Sequence, residues 1–199
     1  MKKIAIVLLL ALSLVACQEP PKAAIDSAKA AVTAAETAEA AKYAQSELSA
    51  AQEAVRAADA EVAAQAEKFA LFRNYEQAQK LYADAQAKAE GAAKAAVENK
   101  AKAKAEAEAA SAAAETAANE AAAAVATLGG CKRKPKGFDA DVEALKGRAD
   151  GLVAEIGSIK AAVTSEDFQG ATTRANSVKD QATALVADVT AAKEKIKCK

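Results

Sequence analysis

Residues 48–72 read LSAAQEAVRAADAEVAAQAEKFALF. Leu48, Val55, Val62 and Phe69 recur every seven residues, and Ala44, Ala51, Ala58 and Phe72 fall at the interleaved positions. That spacing is the seam of a coiled coil, in which apolar side chains repeat every 3.5 residues on one helix face. Gln65 is its one polar break. Upstream, Ile25 and Val32 are also seven apart but out of this register, which implies a phase shift between Ser27 and Ala44 and a locally altered supercoil. Helix is expected from Ala23 to Phe72.

Composition agrees with long helices. About a third of the 199 residues are alanine, and aromatic residues make up 4%. Alanine has the best helix propensity and Glu, Lys, Gln and Arg follow closely, whereas strand formers are scarce here. Asn74 is placed to cap a second helix running from Tyr75 to Leu128 through Tyr75, Ala78, Tyr82, Ala85, Ala89 and Ala92 at three- and four-residue steps. Lys102 with Glu106 and Lys104 with Glu108 are i,i+4 pairs on a solvated face. Two legs of about 50 residues, each about 75 Å long at 1.5 Å per residue, would form an antiparallel hairpin over 23–128 that returns the chain near its start.

Gly129-Gly130-Cys131-Lys132-Arg133-Lys134-Pro135-Lys136-Gly137 then breaks the helix, so 129–137 reads as a linker between domains. Beyond it, Val142, Leu145, Ala149, Leu152, Ile156, Ile159 and Val163 step by three and four. Thr164-Ser165-Glu166-Asp167 caps a further helix whose seam is Ala171, Ala175, Val178, Ala182, Leu185, Val189, Ala192 and Ile196. A second, shorter hairpin over 138–197 is expected, of about 40–45 Å. Gly147, Gly151, Gly157 and Gly170 each cost about 1 kcal/mol of helix propensity, which packing would have to compensate. Asn74-Tyr75-x-x-Ala78 and Asp167-Phe168-x-x-Ala171 place a cap, an aromatic and an alanine alike after a turn, the pattern of two distant repeats or of an aromatic plugging each open hairpin end. The fold class is therefore all-α, a long antiparallel, coiled-coil-like hairpin followed by a shorter one. Heptads alone do not separate an intramolecular hairpin from a dimer, so self-association stays open.

The first sixteen residues carry a different signal. Lys2 and Lys3 form a basic start, Ile4–Val15 an apolar stretch too short to span a bilayer comfortably, and Ala16 a small residue before Cys17, the layout of an export signal. Leu14-Val15-Ala16-Cys17 resembles the lipobox of bacterial lipoproteins. That resemblance implies a lipid on the Cys17 thiol, cleavage before it, a short exit over 17–22, and no cofactor beyond the lipid. An ordinary secretory signal containing a cysteine is the plainer alternative. Gln18, where an aspartate would imply the inner membrane under enterobacterial sorting, favours the outer membrane. In the same way Tyr43-Ala44-x-x-Glu47-Leu48-x-x-Ala51, Tyr75-Glu76-x-Ala78 and Leu81-x-x-Asp84-Ala85 resemble the alanine-rich helical-hairpin domain of unknown function of bacterial envelope lipoproteins, over Ala23–Ala96. The resemblance implies a hairpin and supplies no catalytic residue.

Charge and cysteines narrow the partners. Without Lys2 and Lys3 the chain has 25 basic against 27 acidic residues, which argues against nucleic acid as a partner. There is no histidine, which removes Ser-His and Cys-His catalysis, and three scattered cysteines are poor metal ligands. Glu166-Asp167 reads as helix N-terminal charge rather than an acid/base pair. No enzyme is expected, and no catalytic, cofactor or metal residue is assigned. Cys131 and Cys198 flank the second hairpin and in an oxidising compartment could close a disulfide; two free thiols, or intermolecular ones, are the alternative. Lys132, Arg133, Lys134 and Lys136 would lie near the anchor if the long hairpin returns there, each gaining about 1 kcal/mol at an anionic surface, or else form a solubilising linker. Lys199 gives a resemblance to murein lipoprotein, whose terminal lysine is joined to peptidoglycan, although Cys198 departs from that family's ending. The expected function is a non-enzymatic envelope lipoprotein on the periplasmic side of the outer membrane, a helical spacer, tether or scaffold for an envelope protein or peptidoglycan. The alternative is a periplasmic chaperone that clasps clients with helical arms.

Overall fold

The computed structural model describes residues 19–198, so Cys17 and Lys199 lie outside the described residues. The fold is all-α. Six α-helices follow one another among the described residues: α1 (Lys22–Thr37), α2 (Ala40–Tyr43), α3 (Gln45–Ala66), α4 (Glu76–Ala126), α5 (Phe138–Thr164) and α6 (Phe168–Ile196). They belong to two compact units that divide between Lys100 and Ala101, within α4.

In the first unit the expected single leg from Ala23 to Phe72 is instead two antiparallel helices. α1 ends at Thr37, Glu39 takes left-handed backbone at φ 61°, and the one-turn α2 leads through Ala44 into α3. No glycine or proline marks this turn. Its only trace in the sequence is the register shift between Ile25-Val32 and the Leu48 seam. A continuous helix would point those two stripes in different directions. Folding the chain back turns both inward onto α4.

Ala28 and Ala58 pack with Tyr75, Ala78, Tyr82 and Ala85, flanked by Ile25 and Val62, while Ala35, Ala40, Ala44 and Leu48 pack with Ala92 and Ala96, flanked by Val32. α1 and the first part of α4 therefore run the same way, and α3 runs against both. Alanine at nearly every contact lets three helices approach closely. Each buried methyl contributes only on the order of 0.8 kcal/mol, so the core depends on their number. Left-handed backbone at a non-glycine residue costs about 1–2 kcal/mol. At the turn, Lys100 Nζ meets Glu39 Oε2 at 2.5 Å and Asn99 Nδ2 donates to the carbonyl of Tyr43 at 2.8 Å, which ties the reversal to α4.

The second unit contains the rest of α4 with α5 and α6. α4 contributes Ala107, Ala114, Ala118, Ala121 and Val125 to its core. Lys160 near the end of α5 reaches Glu115 at 2.7 Å, so α5 runs against α4, and α6 runs back along α5, with Arg148 and Asp188 paired at 2.7 Å. The buried residues of α6 are Phe168, Ala171, Ala175, Val178, Ala182, Leu185, Val189 and Ile196. That set follows the expected seam except at Ala192, which is half-buried.

α5 and α6 form the expected shorter hairpin, whereas the first leg of the long one is folded into α1, α2 and α3. The two units divide at Lys100, ahead of the 129–137 segment, and Leu128 and Cys131 at its edge are buried. Glycine and proline mark where a chain turns, whereas a unit boundary is set by what each helix face packs against. The repeated cap-aromatic-alanine pattern opens α4 and α6, with Tyr75 and Phe168 both buried.

Candidate functional site

The most unusual surface of the first unit is the turn joining α3 to α4. α3 stops at Ala66, and a single 3₁₀ turn spans Ala70–Phe72 before α4 begins at Glu76. Several backbone groups of this turn are bonded within it, among them the N–H of Phe72 to the carbonyl of Phe69 at 2.8 Å. Arg73 Nη2 donates to the carbonyl of Ala66 at 2.8 Å and its Nε to that of Lys68 at 3.0 Å, closing the carbonyl end of α3. Gln65 is buried, is held by Glu61 at 2.7 Å, and accepts the Asn74 N–H at 3.1 Å. Asn74 Oδ1 in turn accepts the Glu76 N–H at 2.8 Å, capping α4.

The side chains on this ordered turn face water. Phe69 is 69% exposed, Leu71 62% and Phe72 74%. The only other large hydrophobics exposed among the described residues are Val97 and Val153. The expected placement of Phe69 and Phe72 in the coiled-coil seam is therefore overturned. The helix ends before reaching them, and polar capping by Gln65, Arg73 and Asn74 turns the chain outward. The two rings lie 6.3 Å apart, too few and too exposed to form a core. This cluster was hidden in the sequence because its spacing continued the heptad.

The location of the turn follows from the packing. Ala24 and Ile25 in the first turn of α1 pack against the cluster that holds Tyr75, as does Val62 near the end of α3. The exposed cluster and the start of α1 therefore share one end of the first unit. Pro20 and Pro21 lead into α1 at that end, accepting the N–H groups of Lys22 and Ile25 at 2.8 and 3.0 Å.

The other residues singled out by sequence lie in the second unit or outside the described residues. Cys131 and Cys198 are joined in a disulfide with Cα atoms 5.4 Å apart. Lys132, Arg133, Lys134 and Lys136 are exposed, and Lys134 meets Asp139 at 3.5 Å. Arg133, Lys136 and Lys195 border a groove of about 540 Å³ floored by Leu128, Phe138 and Ile196. Lys199, like Cys17, is outside the described residues.

Asp167 Oδ1 accepts the Gly170 N–H at 3.1 Å, so in the Glu166-Asp167 pair the aspartate is the cap of α6. Among the described residues no group of three or more Cys, Asp and Glu side chains is placed to hold a metal ion. None of the helices among these residues is long and apolar enough to cross a membrane. Fold and site together define an all-α protein of two helical units, one stapled by a disulfide and the other carrying an apolar turn. No protein-family model, curated protein or solved structure matches the chain.

Proposed function

We propose that this chain is a non-enzymatic cell-envelope lipoprotein, anchored through Cys17 on the periplasmic side of the outer membrane and serving as a helical spacer, tether or scaffold. The observation that carries the proposal is the lipobox-like Leu14-Val15-Ala16-Cys17 behind a basic and then apolar start, five residues ahead of the first helix. The Cys131–Cys198 disulfide supports it, since such bonds persist in oxidising compartments such as the periplasm. The resemblance to alanine-rich envelope lipoproteins agrees with this reading. A spacer needs rigid helices and surfaces for a partner, and the partner is an envelope protein or peptidoglycan. The exposed Phe69, Leu71 and Phe72 favour a second reading, a chaperone that holds apolar segments of clients.

Membrane fractionation of wild type and Cys17→Ala, with mass spectrometry of the mature amino terminus and photocrosslinking along the exposed helix faces, separates the two. The spacer reading expects an acylated terminus and lipidation-dependent crosslinks to one envelope assembly. Crosslinks scattered over many unfolded proteins, unchanged in soluble Cys17→Ala, would favour the chaperone.

A further inference from the structure

We infer that Phe69, Leu71 and Phe72 form a second, non-covalent membrane contact, a tip that enters the interfacial layer of the bilayer in which the lipid on Cys17 is held. The inference rests on the anchoring proposed above and adds what that anchor does to the first unit.

Three observations lead to it. Exposed apolar side chains concentrated in one turn mark an interaction surface, and this turn presents three, each more than 60% exposed. Gln65, Arg73 and Asn74 already bond the carbonyls of Ala66 and Lys68 and the N–H groups of Asn74 and Glu76, which lowers the cost of bringing the turn into the interfacial layer, where polar headgroups and water remain to serve the rest. The third observation is position. Five peptide units separate Cys17 from Lys22, a reach of at most about 18 Å, and α1 begins at the end of the unit that carries the tip. An acylated Cys17 therefore holds Phe69, Leu71 and Phe72 close to the membrane surface.

A bilayer suits this tip better than a protein does. Specific protein interfaces bury about 800 Å² on each partner, which three side chains on a narrow turn do not supply. A fluid interface needs no complementary shape and accepts aromatic and aliphatic side chains at the headgroup boundary. Tethering supplies the rest, because a weak contact next to an existing anchor acts at high effective concentration.

The chain contains no tryptophan, so a single introduced indole reports its own surroundings. The full-length lipoprotein carrying Phe72→Trp, and separately Leu71→Trp, would be reconstituted into phosphatidylethanolamine/phosphatidylglycerol vesicles with lipids brominated at shallow acyl positions. Val97→Trp is the control, an exposed site about 32 Å along α4 from its start. The expected result is a blue-shifted emission strongly quenched by brominated lipid at positions 71 and 72, and neither effect at 97. Emission at 71 and 72 matching that at 97 would overturn the inference. So would a blue shift without quenching, which would place the tip against protein or a second copy. Mass spectrometry of the same samples tests the anchor separately. An unacylated terminus overturns the anchoring proposal and the inference that rests on it, whereas an acylated protein without quenching at 71 and 72 overturns the tip alone.

Discussion

The side chain of Gln65 accepts the backbone N–H of Asn74 at 3.1 Å, bridging the last turn of α3 to the residue that caps α4. Gln65 is 7% exposed and occupies a seam position where heptad logic would favour leucine. The two views give opposite signs for one substitution. Gln65→Leu should stabilise if the seam is what matters, but in this structure it removes the hydrogen bond to the N–H of Asn74, an exposed residue. Water can take over as partner there, so urea denaturation should show a loss of about 1 kcal/mol, the net worth of one hydrogen bond. A gain would restore the heptad interpretation.

Legibility in the sequence followed the length over which each pattern persisted. The seam of α6 was readable almost residue by residue, because larger side chains repeat through Ile196 without a competing register. The turn at Glu39 was not, since alanine-rich sequence gives helix and turn nearly the same composition, and only tertiary packing against Ala92 and Ala96 decides between them. The exposed tip was misread for a related reason. Phe69 and Phe72 keep the heptad spacing, while the chain is turned by polar groups at 65, 73 and 74 whose bonds close over seven and nine residues and leave no periodic trace.

The glycines within α5 and α6 divide into two kinds. A Cβ added at Gly147, Gly151 or Gly157 meets no atom within 4 Å, so packing does not require glycine there and does not compensate for its poor propensity. Each alanine substitution should stabilise by about 1 kcal/mol. At Gly170 the added Cβ would stand 2.1 Å from Asp167 Oδ2 and displace the carboxylate that caps α6. Losing that cap costs about 1 kcal/mol and offsets the propensity gain. Chemical denaturation should therefore rank Gly151→Ala above wild type and Gly170→Ala no higher than wild type; equal gains at both would remove the cap from the argument.

The disulfide closes a loop with a sequence separation of 67 residues around α5 and α6. In the chain-entropy model a loop of that size stabilises by about 4 kcal/mol. Cys131→Ser with Cys198→Ser should lower the stability of the second unit by that order. Native-state hydrogen exchange, which resolves the units separately, should show faster opening in α5 and α6 and little change in α1 and α3. An equal loss of protection at Leu48 and Ala58 would mean that the two units unfold as one.

Tyr82 is buried against Ala28 and Ala58, and its hydroxyl donates to Asp59 Oδ1 at 2.5 Å. Burial first, then the hydrogen bond and the negative charge of Asp59, push the phenol above its ordinary range near 10. In the unfolded chain the phenol loses its proton near pH 10, while in the fold it keeps it to higher pH. The folded state therefore binds more protons across that interval. Stability is fully present below about pH 10 and falls as pH rises from there toward the folded pKa. Tyr82→Phe removes both the hydrogen bond and the titration. At pH 7–9 the variant should be less stable by about 1 kcal/mol, the net worth of one hydrogen bond, since Asp59 is exposed and can be rehydrated. Above pH 10 that gap should narrow and then reverse, as wild type alone must keep a buried phenol protonated. Urea midpoints of the two proteins from pH 8 to 11.5 would show the crossing, and parallel curves over that interval would rule out Tyr82 as the source of alkaline instability.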